Sequence, residues 1–183
     1  MNDIRIFSPS LAFFAVCDRA RSLRATEEFD GAGAFSADVP LADAAKFPRG
    51  GVVLLPGAPG AYLIESVRAD GGADTAQIAG RGVLAYFTRR ILPAETEAGG
   101  TAASALLALA RQYGAAALPG ALTAGSTPET PAVEAALGRV SVYAAMRTVC
   151  RAARVGMRLD FNAAAGTFAF GCRTARTAAA WLW

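Results

Sequence analysis

The chain of 183 residues contains no histidine and only one lysine, Lys46. Histidine is the usual general base near neutral pH, the partner of nucleophilic serine and cysteine, and the commonest metal ligand. Its absence excludes the Ser-His-Asp and Cys-His arrangements and removes this metal ligand from consideration. A cofactor-dependent or metal-dependent function is therefore not expected.

Cysteine is also scarce, with Cys17, Cys150 and Cys172 as the full set. Their spacing matches no zinc-binding pattern, and an odd number does not indicate a disulfide framework. We predict that all three are small buried hydrophobic residues.

Long hydrophobic runs are missing as well. No window approaches 18 consecutive apolar residues, so no transmembrane helix is predicted. The apolar run 11–17 is short and is followed at once by Asp18 and Arg19, which is not typical of a secretory signal. We expect synthesis in the cytoplasm and no membrane partner.

The residues that are present are mostly small or basic. The hydrophobic fraction is 54%, but about a quarter of the chain is alanine, so the apolar content overstates the core. The net charge is +3, and arginine supplies nearly all of the basic charge. The planar guanidinium fork suits bidentate pairing across an interface, which is compatible with an assembly protein.

The first half of the chain has the pattern of a β-rich fold. Residues 62–69 and 75–80 predict a hairpin around a glycine-rich turn, 83–88 a short helix, and Arg89-Arg90 then lead to Pro93. Further short runs predict strands, with helical turns at 41–47. These predicted strands are 4–7, 12–17, 22–29, 34–39 and 52–55.

The second half predicts helices and one hairpin. Thr101 should cap a helix at 102–113, and Ser141 a helix at 142–155 that Gly156 ends. Residues 94–100 and 115–130 are interpreted as loops, 133–140 as strand or helix, and 157–162 with 167–173 as a hairpin. This order indicates an α+β fold rather than a parallel βαβ fold. The predicted domains are 1–93 and 94–183, or one intertwined unit.

Two charged groups allow several interpretations. Arg147, Arg151 and Arg154 share a helix face, which suits a row of nucleic-acid phosphates, a solvated face, or pairing with another subunit's carboxylates. No aromatic residues alternate with them to stack bases, which argues against single-strand binding, and no sequence-specific nucleic acid is expected. The acidic cluster Glu27, Glu28 and Asp30 could serve acid/base chemistry or a divalent cation, or could lie on an exposed edge or loop.

Arg89 and Arg90 are adjacent in what is predicted to be strand-like backbone. Adjacent strand residues point to opposite faces, so one of the two should point inward or across an interface. A buried arginine requires a carboxylate partner. We therefore predict a specific structural role for this pair.

Several segments together resemble the tail-tip (baseplate) hub proteins of siphophages and prophages. The resemblance covers nearly the whole chain, and its best part is the Gly-Arg followed by Arg-Arg-Ile. Members usually continue well beyond the last hairpin, whereas this chain ends at Trp183. The segments are GAFSADVP (33–40), GVVLLPG (51–57), YLIESV (62–67), AQIAGRGVLAYFTRRIL (76–92), the helix after Gly99-Gly100, and GMRLDFN (156–162).

The resemblance implies small β-barrel-like domains that assemble as a ring, usually a homotrimer, at the end of the tail tube. Such a hub joins the tube, distal tail and tape-measure proteins to tip or fibre proteins, and it would be made in the host cytoplasm and reside in the virion tail. The family has no catalytic residue to carry over. The alternatives are a bacterial non-enzymatic binding or assembly module and, as a third hypothesis, a tail-associated cell-wall hydrolase. Subunit contacts are expected at Arg81, Arg89, Arg90, Trp181 and Trp183.

Overall fold

A computed structural model describes residues 3–69 and 74–174. Contacts divide the chain into two compact units, and both are discontinuous in sequence. The first unit contains the residues up to Glu27, together with Ala32–Val83 and Ala163–Gly166. The second contains Glu28–Gly31, Leu84–Asn162 and the residues from Thr167 onward. Such a grouping does not establish which segments fold on their own, so the predicted domain boundary stays a prediction.

The first unit is built on one seven-stranded sheet in the order β2-β1-β5-β6-β7-β4-β3, and every neighbouring pair is antiparallel. A 3₁₀ helix, η1 (Leu41–Lys46), packs against β2, β4, β6 and β7. The strands are β1 (Ile4–Phe7), β2 (Phe13–Cys17), β3 (Ser22–Thr26), β4 (Ala34–Pro40), β5 (Val52–Leu54), β6 (Ala61–Ala69) and β7 (Thr75–Gly82).

The alternation predicted for β4 is confirmed. Phe35, Ala37 and Val39 are buried, whereas the residues between them are partly exposed. This is the period of two that a strand with one face toward a core requires. The buried face joins a cluster with residues of β1, β6 and β7, including Ile4, Ile6, Tyr62, Ile64 and Ile78.

A short connection forces this sheet to curl. Strands β2 and β3 form opposite edges of the sheet, yet only residues 18–21 separate them. In a flat sheet the six inter-strand steps would place the edges roughly 29 Å apart. The five Cα–Cα steps from Cys17 to Ser22 span at most about 18 Å. The first unit is therefore barrel-like, with a seam between β2 and β3.

A buried carboxylate ties this connection to η1. The Asp43 side chain is 3% exposed, and its Oδ1 atom lies 2.9 Å from Arg19 Nη2 and 2.8 Å from Lys46 Nζ. Arg19 Nε also donates to Oδ2 at 3.1 Å. Hydrogen bonds from Lys46 and Arg19 lower the pKa of the Asp43 carboxyl below its usual value.

The described part of the second unit combines two α-helices and shorter helical turns with two small sheets. Strands β8 and β10 pair antiparallel, and the other sheet has the order β11-β12-β9, with β12 and β9 parallel. The elements are the 3₁₀ helix η2 (Val83–Arg89), whose residues from Leu84 belong to this unit, β8 (Thr96–Thr101), α1 (Ala102–Leu109), a π-helical turn (Ala110–Gly114), a 3₁₀ turn (Ala115–Ala117), β9 (Leu122–Ala124), β10 (Ala132–Leu137), α2 (Val142–Ala153), β11 (Gly156–Asn162) and β12 (Thr167–Arg173).

The core of the second unit is aromatic. Tyr86 and Phe87 of η2 pack against Phe168 and Phe170 of β12, with ring centroids 5.9 Å and 6.2 Å apart respectively. All four side chains are buried, together with Leu106 of α1 and other residues of both helices. The α+β fold class is thus confirmed. Among the described strands, the one parallel pair joins β12 to the short strand β9.

Two loop predictions were wrong. Residues 94–100 include most of β8, and 115–130 include β9. The sequence of β8, TEAGGT, has a weak preference for strand, and its order comes from six consecutive pairings with β10. The ambiguous segment 133–140 is a strand as far as Leu137.

The helix caps were predicted correctly, but one helix end was not. The Thr101 and Ser141 side chains accept hydrogen bonds from Ser104 N–H and Ala144 N–H. Helix α2 ends at Ala153, and its C-cap residue Arg154 takes the left-handed conformation at φ 55°, whereas Gly156 lies in β11. Among the described residues, no helix has the length and apolarity of a membrane span.

The substitution Asp43→Asn should lower the denaturant midpoint of unfolding, because Arg19 and Lys46 would lose the carboxylate that both contact. The pKa of Asp43 is lowered by folding, so its contribution to stability is present above the unfolded carboxyl pKa of about 3.9 and is lost as pH falls through the lower folded value. The difference between wild type and variant should therefore shrink below about pH 4.

Asp160→Asn is the matched control, because Asp160 forms an exposed pair with Arg158 and such pairs contribute little. Equal midpoints for wild type and Asp43→Asn at neutral pH would contradict the prediction.

Candidate functional site

The acidic cluster and the arginine stripe meet inside the second unit. Arg151 Nε donates to Asp30 Oδ2 at 3.1 Å, and Arg147 Nε lies 3.6 Å from the same oxygen. Glu28 Oε2 lies 4.0 Å from Arg147 Nη2. Two of the three stripe arginines are thus paired with carboxylates of their own chain, which weakens the hypothesis of a free row for nucleic-acid phosphates.

The backbone of the segment Glu28–Gly31 is also fixed in the second unit. Met157 N–H and Arg173 Nε both donate to the Phe29 carbonyl, at 3.2 Å and 3.3 Å. Arg173 donates further to the Glu28 carbonyl, and its guanidinium lies 5.6 Å from the centre of the Phe29 ring. The segment therefore lies alongside the start of β11.

Arg147 and Arg151 hold the Asp30 carboxyl in its charged form. Burial alone raises the pKa of the Asp30 carboxyl, but the hydrogen bond from Arg151 and the charge of Arg147 outweigh it, so the net shift is downward. Asp30 is consequently ionised at neutral pH, and its chemistry is that of an ion-pair acceptor. Glu27, the third acid of the predicted cluster, belongs to the first unit.

The predicted interface arginines lie in three different settings. Arg81 is exposed on β7 and pairs with Glu65 of β6, with Nη2 2.6 Å from Oε1. The Arg89 guanidinium lies 4.8 Å from the centre of the Tyr86 ring. The Arg90 carbonyl accepts a hydrogen bond from Val142 N–H. Trp181 and Trp183 lie outside the described residues, and the interface role of all five residues stays a prediction.

The expectation that Arg89 or Arg90 points inward is not met within the chain. Both side chains are exposed. The expectation assumed strand backbone, in which neighbouring side chains point to opposite faces. Arg89 is instead the last residue of the 3₁₀ helix η2, and Ile91 forms an isolated β-bridge with Ser141.

The three cysteines are free and buried, as predicted. Burial raises the pKa of Cys150 to about 12 and that of Cys172 to about 11, so these thiols are protonated at neutral pH. Burial also raises the pKa of Cys17. A protonated thiol is a poor nucleophile and a poor metal ligand. Within residues 3–69 and 74–174, no group of three or more acidic or cysteine side chains is placed to hold a metal ion.

The edge strand β2 presents an apolar surface. Phe13, Phe14 and Val16 are 62%, 53% and 40% exposed. The strand is at the end of the sheet and contains no charged residue and no proline, the features that usually block pairing at an edge. Exposed aromatic residues beside unpaired backbone groups are typical of a contact surface. The sequence analysis did not predict this exposed surface, because apolar residues occupy both faces of the run and no exposed face can be distinguished.

These features define an α+β protein with a seven-stranded barrel-like unit and a mixed helical and β unit. No family model matches the chain, and no curated protein matches it. The solved structures that match the chain include two with a similar fold over 92% of it, each with a TM-score of 0.59. They are the tail protein from Neisseria meningitidis MC58, at 14% identity, and prophage tail protein gp18 from Listeria monocytogenes EGD-e, at 7% identity. The chain spans 50% of the length of each.

Gly156→Ala should destabilise the protein by roughly 1–3 kcal/mol, the usual cost of overpacking. A Cβ atom at this position would lie 2.3 Å from the Phe29 carbonyl oxygen, so the segment Glu28–Gly31 would have to shift. Chemical denaturation measures the change in the free energy of unfolding.

Gly138→Ala is the matched control, since no atom lies within 4 Å of its added Cβ and the position has no positive φ. Its free energy of unfolding should stay the same or rise slightly. A similar loss in both variants would refute the steric explanation.

Proposed function

We propose that the chain is a non-enzymatic structural component of a phage or phage-like tail, assembling as a ring-shaped hub between the tail tube and distal tip or fibre proteins. The observation that carries this proposal is the fold shared over 92% of the chain with two tail proteins. The absence of histidine and the raised pKa values of the buried thiols support a role without catalysis.

The surface of β2 supplies a physical basis for assembly. Unpaired N–H and C=O groups at a sheet edge pair readily with another chain, and Phe13, Phe14 and Val16 would bury apolar area on contact. A contact between two different surfaces of identical subunits generates a ring when the rotation closes. In the proposed hub, β2 of each copy meets a different surface of the next copy, and a trimer is the expected ring.

The exposed arginines fit the same arrangement. Arg89 and Arg90 can each form bidentate pairs with carboxylates of a neighbouring subunit or of a tube, tape-measure or tip protein. Arg81 already pairs with Glu65, so its proposed interface role requires a shared or exchanged carboxylate. The proposed location is the virion tail, after assembly in the host cytoplasm.

The oligomeric state tests this proposal. Light scattering coupled to size exclusion, run from micromolar to submillimolar protein, should give an oligomer of closed stoichiometry, with a trimer expected. Phe14→Glu should shift the mass toward that of the monomer while leaving the circular-dichroism spectrum unchanged, because a charge would be desolvated at the β2 contact.

Leu41→Glu is the control, since Leu41 is 44% exposed in the same unit but lies outside β2. This variant should keep the wild-type mass. A wild-type chain that stays monomeric throughout the concentration range would overturn the ring and favour the alternative of a monomeric binding module.

A further inference from the structure

An exposed surface of the second unit lies where the segment after η2 meets the segment before α2. Leu92 N–H donates to the Val140 carbonyl at 2.9 Å. Val142 N–H donates to the Arg90 carbonyl, also at 2.9 Å. These two bonds and the isolated bridge at Ile91 hold the segments side by side in an antiparallel arrangement. Residues that are distant in sequence therefore share one small area of the surface.

The middle of this area is apolar. Ile91 is 64% exposed, and Pro93, two positions further along, is exposed as well. Leu92 precedes a proline and so favours extended backbone, in which residues two apart share one side of the segment. Val140, on the other segment, is 39% exposed. Single exposed apolar residues are common, but three on adjoining segments form a patch that a partner can cover.

Three arginines adjoin this apolar patch. Arg89 and Arg90 directly precede Ile91, and both are exposed. Arg139 directly precedes Val140 and is exposed too. No described carboxylate forms a salt bridge with any of the three arginines. Their positive charge is therefore not compensated by ion pairs within the described part of the chain.

The arginines are suited to pairing with a partner. The Arg89 guanidinium lies 4.8 Å from the centre of the Tyr86 ring, so it is already held in position and loses less freedom on pairing. Glu95 and Glu97 follow Pro93 in the chain, but neither forms a salt bridge with a described residue. The guanidinium fork binds a carboxylate through two parallel hydrogen bonds.

We infer that this surface binds an acidic segment of a different protein, in which carboxylates flank an apolar side chain. The apolar side chain would cover Ile91 and Pro93, and the carboxylates would pair with the three arginines. Exclusion of water by the apolar contact strengthens these pairs. The inference rests on the proposed function only for the place of that partner in a tail, and it deepens that function by assigning the arginines to another protein rather than to a second copy.

Other partners fit less well. The chain has a net charge of +3 and a pI of about 9.0, so its copies repel one another at neutral pH, whereas an acidic protein is attracted. A nucleic-acid strand would pair its phosphates with the arginines but would leave Ile91 and Pro93 uncovered. The experiments distinguish both from an acidic protein.

The test titrates the isotope-labelled full chain with blocked pentapeptides and follows backbone amides by NMR. Glu-Glu-Leu-Glu-Glu should give saturable shifts at the amides of Ile91, Leu92 and Val140. Gln-Gln-Leu-Gln-Gln should bind roughly tenfold more weakly, because it cannot form charge-assisted pairs. Glu-Glu-Gly-Glu-Glu should bind severalfold more weakly, because it lacks the apolar side chain. Equal affinity for the three peptides, or no shifts with any, would overturn the inference.

A thymidine pentanucleotide carries the same number of negative charges as the acidic peptide. It should bind more weakly than Glu-Glu-Leu-Glu-Glu at equal salt concentration, since it cannot cover the apolar patch in the same way. Equal or tighter binding of the pentanucleotide would overturn the protein partner and assign the surface to nucleic-acid phosphates.

Arginine variants locate the charge. The double variant Arg90→Gln and Arg139→Gln should weaken the acidic peptide roughly tenfold, since two charge-assisted pairs are lost. Arg68→Gln is the control for each single substitution, because Arg68 is an exposed arginine of β6 in the first unit. The control should leave the affinity nearly unchanged. An equal loss in Arg68→Gln and in Arg90→Gln alone would indicate an effect of net charge and refute the assigned surface.

Ile91→Ser separates binding from a structural role. Because Ile91 is 64% exposed, the thermal midpoint should stay nearly the same while the peptide affinity falls severalfold. Its mass by light scattering should equal that of the wild type. A shift of this variant from oligomer toward monomer would assign the surface to a second copy and overturn the inference. A monomeric wild type would refute the ring without altering peptide binding, so the two proposals can fail separately.

Discussion

The four residues between β2 and β3 are the constraint on which the first unit depends. They hold opposite edges of a seven-stranded sheet close together, so the sheet curls toward a barrel without pairing β2 to β3 at the seam. That closure decides which face of β4, β6 and β7 is buried and gives η1 a place to pack. It also explains why a charged residue is tolerated in the core, because Asp43 binds Arg19 of the same connection. An apolar side chain at position 43 could also be buried, but it would not bind Arg19 and so would not hold the connection against η1.

Local sequence patterns predicted most helices and strands, but few of the contacts between residues that are distant in sequence. The alternation of β4, the caps at Thr101 and Ser141, and the last hairpin follow from short-range physics that a sequence displays directly. Strand β8 was missed because its residues favour a loop and only pairing with β10 orders them. Gly156 was predicted to end helix α2, which was wrong. A side chain at this position would collide with the Phe29 carbonyl, and Phe29 is far away in sequence.

The candidate surfaces show the same limit. The sequence displayed an arginine stripe and an acidic cluster but not their contact, since Asp30 and Arg151 are separated by 121 positions. The apolar run of β2 was visible, but its exposure depends on its place at the end of the sheet. The surface around Ile91 combines arginines from two segments that are far apart in sequence, and no local pattern marks such a set.

The passage of Glu28–Gly31 through the second unit has a consequence for how the chain is made. Translation delivers this segment first, and helix α2 and strand β11 emerge more than a hundred residues later. At common synthesis rates the delay is on the order of ten seconds, far longer than a hairpin takes to form. Hairpins near the N-terminus can therefore form while Phe29 and Asp30 still lack their partners in α2 and β11, and the contacts of this segment form only near the end of synthesis. A ribosome-bound fragment that stops before α2 would therefore lack Arg147 and Arg151, the two arginines that pair with Asp30.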